Sequence, residues 1–237
     1  MRVALACEVG PSAVRRGKRG KHMSRDAWQL RAARCYEDAT YGGRPELVVD
    51  GERELDAIEA DLALARGKLL HARFLDGREV RDERELPLFE RAVELYRELD
   101  DRTKLADALF WVGCCHQVVL QDEASALDYF HAAYDLAAEL GADLVRAEAV
   151  RHLGFTALRT GELDLALTRF AESLRLRRDV QAAPSVVAAA IIPMAVLAEQ
   201  RGEVRQAEAL FAEATRIAED NRAVGVLGWI EQARATS

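Results

Sequence analysis

Four short stretches of the sequence align with one another and decide the fold: Leu88-Phe89-Glu90-Arg91-Ala92, Tyr129-Phe130-His131-Ala132-Ala133, Arg169-Phe170-Ala171-Glu172-Ser173 and Leu210-Phe211-Ala212-Glu213-Ala214. Their phenylalanines are spaced by 41, 40 and 41 residues. A small residue follows each phenylalanine by three positions, and the last three copies carry alanine four positions before it, where the first copy has Glu85. Because residues at these spacings share one helix face, the pattern predicts repeated helices that pack closely on a neighbour.

A second helix is predicted before each of these helices. The clearest case is the apolar stripe that contains Leu153, Gly154 and Ala157 and ends at Gly161. Gly161-Glu162-Leu163 supplies a short connection in which glycine suits a left-handed helix end, and Gly202-Glu203-Val204 repeats that turn 41 residues later. Such short links favour antiparallel helix pairs.

These residues give the chain its resemblance to the tetratricopeptide repeat family, whose pattern has Leu-Gly in the first helix, Gly at the turn, and Ala, Phe and Ala in the second helix. Residues 147–178 match it most fully, with Leu153, Gly154, Gly161, Ala166 and Phe170, and with Ser173 in place of the last alanine. Residues 188–220 match with Ala195 in place of the first glycine. Residues 106–139 need a one-residue insertion, and residues 52–99 diverge most, with Gly67 as their anchor.

The period of 40–41 residues exceeds the family's period of about 34. Similar lengthened repeats are typical of sensor domains in bacterial regulators. The resemblance implies an all-α, right-handed α-solenoid of about four antiparallel helix pairs with capping helices at both ends. The predicted domain covers 23–237, with repeats near 47–99, 103–140, 142–178 and 184–220, an entry helix near 24–40 and a C-terminal cap at 223–235. Individual helices are predicted near 47–75, 84–99, 103–119, 123–140, 142–160, 163–178, 184–201 and 203–220.

The charge is unevenly distributed along the chain. The net charge of −7 combines a balance of +6 over residues 1–45 with a balance of −13 over the remainder. The basic excess is concentrated between Arg15 and Lys21, and we expect residues 1–22 to be a solvated, disordered tail, although such a run can also contact nucleic acid or acidic lipid. A start at Met23 is an alternative. The acidic body argues against a broad DNA-binding face.

Cysteine use and hydropathy indicate a cytoplasmic protein without a membrane partner. The four cysteines include the adjacent pair Cys114 and Cys115, whose geometry is poor for an ordinary disulfide. The apolar stretch Val3 to Cys7 is too short for the core of a signal peptide. The longest apolar run, about 13 residues from Val186 to Ala198, contains Pro193, which should kink its helix, and it is too short to span a membrane.

The sequence offers no convincing metal, cofactor or catalytic motif. In Cys114-Cys115-His116 successive side chains diverge by about 100° on a helix, so the three cannot converge on one ion. Asp100, Asp101 and Asp107 lie at a helix junction, where aspartate caps the next helix. Neither a phosphate-binding glycine loop nor a Gly-x-Ser-x-Gly turn is present. We therefore expect neither cofactor nor catalysis.

The resemblance also selects a ligand groove. In tetratricopeptide stacks the first helix of each pair lines a concave surface, on positions turned away from the Leu-Gly stripe. The positions selected in this sequence are Asp107, Trp111, Glu148, Arg151, His152, Phe155, Arg159 and Glu199. Asp107 and Trp111 are four residues apart, as are Glu148 and His152, so the members of each pair share a helix face. His152 is expected to titrate near neutrality if Glu148 lies close to it.

Three functional hypotheses follow. The first is a non-catalytic scaffold that binds a protein or peptide segment in the groove. The second is a sensor that binds a signal peptide or a small molecule as part of a bacterial transcription system. The third is an enzyme that uses groove residues such as Glu148, Arg151 and His152 as acid–base groups, and it has the least support because no nucleophile accompanies them.

Overall fold

The computed structural model of the protein describes residues 27–77 and 80–235. These residues form ten α-helices and contain no strand. In chain order the helices are α1 (Ala27–Thr40), α2 (Glu46–Gly77), α3 (Glu85–Glu98), α4 (Arg102–Cys114), α5 (Glu123–Leu140), α6 (Asp143–Arg159), α7 (Leu163–Asp179), α8 (Pro184–Gln200), α9 (Val204–Asp220) and α10 (Val224–Ala235). The all-α prediction is confirmed.

The helices pack in adjacent pairs along the chain. The most extensive contacts join α2 to α3, α4 to α5, α6 to α7, and α8 to α9, and each pair also touches the pair that follows it. Helix α1 packs on α2, and α10 packs on α9 and α8. We refer to α2, α4, α6 and α8 as the A helices and to their partners as the B helices.

A glycine in the A helix receives the repeated phenylalanine of the B helix in three of the four pairs. A Cβ atom placed on Gly154 would lie 2.6 Å from the ring of Phe170. The corresponding distance is 2.7 Å from Gly113 to the ring of Phe130, and 2.4 Å from Gly67 to the ring of Phe89. The glycines therefore permit a helix approach that a methyl group would block, and Gly67 is confirmed as the anchor of the first copy.

The one-residue insertion in the second copy coincides with a π-helix. Seventeen residues separate Gly113 from Phe130, whereas sixteen separate Gly154 from Phe170. Helix α4 ends at Cys114, and the chain continues as a π-helical segment over Cys115–Leu120. A π-helix accommodates an extra residue within a helical stretch, so the insertion lies inside the helix and not in the turn after it.

The helix ends follow the predicted turn chemistry. Gly161 and Gly202 have φ angles of +81° and +75°, in the left-handed region that glycine adopts without penalty. Helix α8 continues through Pro193 as one element. The predicted basic tail at 1–22 lies outside the described residues.

Candidate functional site

The A helices α4, α6 and α8 are enclosed on several sides, whereas the B helices are buried along one face. In α6 every residue from Ala147 to Leu158 is buried except Thr156, which is half-buried. In α9, by contrast, the buried residues are Ala207, Phe211, Ala214 and Ala218, which all lie on one face. Polar side chains on these A helices are therefore removed from water, which costs free energy unless each one has a hydrogen-bond or ion-pair partner.

The structure buries five of the eight predicted groove residues: Trp111, Glu148, Arg151, His152 and Phe155. His152 has no exposed surface, and even Glu148 is only 8% exposed. Asp107 and Glu199 are half-buried, and Arg159 is exposed. Only these three therefore present surface to solvent in this conformation, and the assignment of all eight to a ligand stays a prediction.

The first of three buried polar clusters lies between α2, α3 and α4. We call it the His71 cluster, and its members are Lys68, His71, Glu85, Asp107, Trp111 and Cys115. His71 Nδ1 lies 2.7 Å from Glu85 Oε1, and both side chains are 1% exposed. The His71 ring meets the edge of Trp111 with centroids 5.4 Å apart. Burial, reinforced by the charge of Glu85, raises the pKa of the Cys115 thiol far above its usual value, so this thiol stays protonated.

The same cluster reaches the surface at an ion pair. Lys68 Nζ lies 2.7 Å from Asp107 Oδ2, and each side chain is 30% exposed. The ammonium group also lies over the Trp111 ring, 5.2 Å from its centroid. Trp111 Nε1 is buried and has no hydrogen-bond partner among the described residues. Asp107 and Trp111, predicted to share one face, therefore meet at Lys68, which the sequence did not single out.

The second cluster joins the π-helical segment to α5 and α6. We call it the Gln117 cluster, and it contains Gln117, Glu123, His152, Thr156 and Arg159. Gln117 Oε1 lies 2.6 Å from His152 Nδ1. Gln117 Nε2 donates to Thr156 Oγ1 at 3.1 Å and to Glu123 Oε2 at 3.2 Å. Because the amide oxygen can only accept, His152 Nδ1 carries the proton in this arrangement.

Arg159 closes the Gln117 cluster at the surface through an ion pair with Glu123. Burial lowers the pKa of the Arg159 guanidinium, and the charge of Glu123 opposes that effect. The side chains of Arg159 and Glu123 are 32% and 38% exposed. The cluster therefore runs from a wholly buried imidazole to a charged pair that solvent can reach.

The third cluster lies between α6 and α7 and is centred on Arg177, so we call it the Arg177 cluster. Arg177 Nη2 lies 2.7 Å from Glu148 Oε2, and the arginine side chain is 2% exposed. Arg177 Nε donates to Ser173 Oγ at 3.2 Å, and that hydroxyl donates to Ala147 O at 2.7 Å. Glu148 thus pairs with an arginine of the neighbouring helix. Removal of one member of such a pair would leave a buried charge uncompensated.

The remaining predicted residues have separate surroundings. The Arg151 guanidinium lies over the Phe155 ring, 4.9 Å from its centroid, and Phe155 in turn meets Phe170 edge-on. His152 and Phe155 also make an edge contact, with centroids 5.9 Å apart. Glu199 Oε2 is buried without a hydrogen-bond partner among the described residues. The structure therefore brings Arg151, His152 and Phe155 together.

Sequence reasoning missed the partners that organise these clusters: Lys68, His71, Glu85, Gln117, Glu123, Thr156 and Arg177. The departure of Glu85 from alanine in the repeat was a usable signal, because that carboxylate bonds His71 where the other copies have a methyl group. Ser173, the other departure from alanine, likewise contacts Arg177. Gln117 gave no such signal, because its position depends on the π-helix.

Two surface cavities lie elsewhere, at the ends of helices. One of about 380 Å³ lies between α7, α8 and α9, and one of about 360 Å³ lies between α2, α3 and α4. None of the eight predicted residues lines either cavity. Within residues 27–77 and 80–235, no group of three or more His, Cys, Asp or Glu side chains is placed to hold a metal ion. No helix in this part of the chain is long and apolar enough to cross a bilayer.

The described residues form adjacent helix pairs with buried polar clusters that join A helices to B helices. No protein-family model and no curated protein sequence matches the chain. A crystal structure of BtubC (BKLC) from P. vanneervenii is similar to it, with 17% sequence identity and a TM-score of 0.49, and the match covers 83% of this chain and 92% of that one. At that TM-score the similarity supports no assignment of function.

Proposed function

We propose that the protein is a tetratricopeptide-like, right-handed α-solenoid of about four repeats that binds a protein or peptide segment in the cytoplasm and has no catalytic activity. The repeat register supports this proposal, because each predicted repeat corresponds to one A helix and its B partner. The glycine–phenylalanine contact recurs at the same place in three pairs. In the fourth pair Ala195 takes the glycine position, opposite the buried Phe211.

The observation that carries the binding proposal is the path of two polar clusters from the interior to the surface. The His71 cluster ends at Lys68 and Asp107, and the Gln117 cluster ends at Glu123 and Arg159. Each surface pair holds one acid and one base, so it can exchange its internal partner for a carboxylate or an ammonium group of a bound segment. The buried members behind each pair fix the orientation of the charged groups, which lowers the entropy cost of binding.

This arrangement changes which residues a ligand would touch. Trp111, His152 and the other buried members of the predicted groove act as supports behind the surface. Lys68, Asp107, Glu123 and Arg159 make the contacts in this proposal. The ligand is then a segment that carries both acidic and basic side chains.

Quantitative affinity capture with matched variants tests the proposal. Lys68→Ala and Arg159→Ala each remove one surface cation, and Arg175→Ala removes an arginine of α7 whose side chain is 58% exposed and pairs only locally with Asp179. We expect both cluster variants to lose at least one partner that wild type and Arg175→Ala retain. The expected loss of affinity is about tenfold or more, because a charge-assisted hydrogen bond contributes about 1.5–3 kcal/mol. Identical partner abundances for all three folded variants would contradict the proposal.

A second candidate function, a sensor of small molecules, is favoured by one observation. Trp111 Nε1 is a buried donor without a hydrogen-bond partner among the described residues, and it belongs to the cluster that contains Lys68 and Asp107. A small ligand with a carbonyl or carboxylate oxygen would satisfy that donor. A thermal-shift survey of polar metabolites tests this candidate, which fails if no compound raises the midpoint of wild type more than that of Lys68→Ala.

A further inference from the structure

Helix α2 carries an apolar stripe that points away from the core. The α2 stripe consists of Val48, Gly51, Leu55, Ile58, Leu62, Ala65, Leu69 and Ala72, spaced alternately by three and four residues. Its four largest exposed members, Val48, Leu55, Leu62 and Leu69, recur every seven residues. The buried residues of α2, such as Ala60, Ala63 and Leu70, lie on the opposite face. A seven-residue apolar repeat is typical of a helix face that packs along a second helix.

Helix α1 already covers the first part of the stripe. A Cβ atom on Gly51 would lie 3.2 Å from Cys35 Cβ, so the two helices touch closely there. An ion pair between Arg31 and Glu54 lies further along α2, and the numbering of the two contacts gives α1 and α2 opposite directions. The described residues begin at Ala27, where the spacing of these two contacts brings α1 near Ile58.

The leucines in the second part of the stripe are more exposed than the apolar side chains in the first part. Leu62 is 54% exposed and Leu69 is 71% exposed, and Ala65 and Ala72 between and beyond them are also exposed. These are large exposures for leucines in the middle of a 32-residue helix. The same helix face is therefore in contact with α1 along one half and is more exposed along the other.

The charges along α2 identify the kind of helix that fits the more exposed half. Residues 46–61 hold seven acidic side chains and one basic one, and in this half Glu54 pairs with an arginine of α1. Residues 62–77 hold three basic side chains and one acidic one, Asp76, at the end of the helix. Arg66 and Arg73 are exposed beside the stripe, whereas Lys68 is paired with Asp107, and the charge of Arg73 also helps to lower the pKa of Asp82. The balance of charge along α2 thus changes from acidic to basic near the point that Ala27 reaches.

We propose that Leu62, Ala65, Leu69 and Ala72 form a docking site for an acidic amphipathic helix of a partner protein. The helix would continue the track of α1 along α2 and place its carboxylates beside Arg66 and Arg73. The segment 15–21 of the same chain fits poorly, because it holds five Lys or Arg residues and no acid. A second copy fits poorly as well, because two-fold pairing of this short stripe brings Arg66 of each copy together.

Two synthetic peptides of about three heptads test the proposal. Both carry leucines at heptad spacing, and one is flanked by glutamates and the other by lysines. Binding to the full chain is measured by fluorescence anisotropy, and sedimentation velocity of the chain alone reports its oligomeric state. The variants are Leu62→Ser with Leu69→Ser, Arg66→Glu with Arg73→Glu, and the control Val204→Ser, whose valine is 65% exposed on α9.

We expect wild type and Val204→Ser to bind the glutamate peptide at least about tenfold more tightly than the lysine peptide. The leucine double variant should lose about tenfold or more of the affinity for the glutamate peptide. The arginine double variant should prefer the lysine peptide. Equal binding of the two peptides, no binding by wild type, or an unaffected leucine variant would overturn the proposal. A concentration-dependent dimer that the leucine double variant abolishes would also overturn it, because a second copy would then be the occupant. The docking site uses none of Lys68, Asp107, Glu123 and Arg159, so its failure leaves the proposed function untouched.

Discussion

Replacement of Gly154 by alanine isolates the contact on which the repeat depends. The new Cβ atom would lie 2.6 and 2.8 Å from two carbons of the Phe170 ring, well inside van der Waals contact. Overpacking of this kind costs about 1–3 kcal/mol. Alanine in a helix interior gains about 1 kcal/mol over glycine, so the net loss for Gly154→Ala is expected to be about 1 kcal/mol.

The matched control is Gly228→Ala in α10. A Cβ atom on Gly228 would have no neighbour within 4 Å, so this variant gains the helix-propensity term without the clash. The difference in unfolding free energy between the two variants should therefore equal the overpacking cost of about 1–3 kcal/mol. Urea denaturation followed by circular dichroism measures it, and the melting temperatures should differ by about 2–4 °C for each kcal/mol.

A double-mutant cycle with Phe170→Leu tests the cause of the effect. Leucine is smaller than the ring, so alanine at position 154 should cost less in the Phe170→Leu background than in wild type. If Gly154→Ala is as stable as Gly228→Ala, the Phe170 ring leaves room for a methyl group at position 154, and the overpacking argument is wrong. An unchanged cost in the Phe170→Leu background would place the strain somewhere other than at this ring.

Three further predictions concern single side chains. Glu85→Ala introduces the alanine found in the other copies, yet it should destabilise the fold by about 1–3 kcal/mol because it removes a buried hydrogen bond to His71, and denaturation by urea measures this loss. In the native chain iodoacetamide should modify the half-buried Cys35 and spare Cys115, whose pKa is raised mainly by burial, and peptide mass spectrometry checks the order. Hydrogen bonds with Ser125 lower the pKa of Asp122 below its usual value of 3.8, so the ionised carboxylate stabilises the fold above that pH. The difference in unfolding free energy between wild type and Asp122→Ala should therefore be full at pH 7 and should disappear as the pH falls well below 3.8.

The arrangement of helices was predictable because the same local rules recur in each copy. The spacing from Phe89 to Phe130 predicted the repeat, and Gly161 predicted a left-handed turn that is present at φ +81°. Each of these signals depends only on neighbours within one or two helices. The predicted bounds for α5 agree with the observed bounds, Glu123–Leu140.

The surroundings of the site residues were not predictable in the same way. The groove assignment treated each A helix as having one buried face and one open face, and in α6 both Leu153 and His152 are buried. Periodicity reports which residues share a face, but it does not report how many faces are covered. His152 lies against Gln117, 35 positions away in sequence, and only the packing of α4 on α6 brings them together.

The π-helical segment connects these two levels of organisation. A one-residue insertion in an exposed turn would have left the A-helix face of the second copy unchanged. The insertion falls inside the helix instead, so side chains after Cys114 are rotated relative to the other copies. Gln117 thereby reaches His152 and Thr156 of the next pair, and Cys115 lies beside Glu85 of the previous one. The insertion thus links the Gln117 and His71 clusters across three successive pairs, whereas the Arg177 cluster lies within the third pair, between α6 and α7.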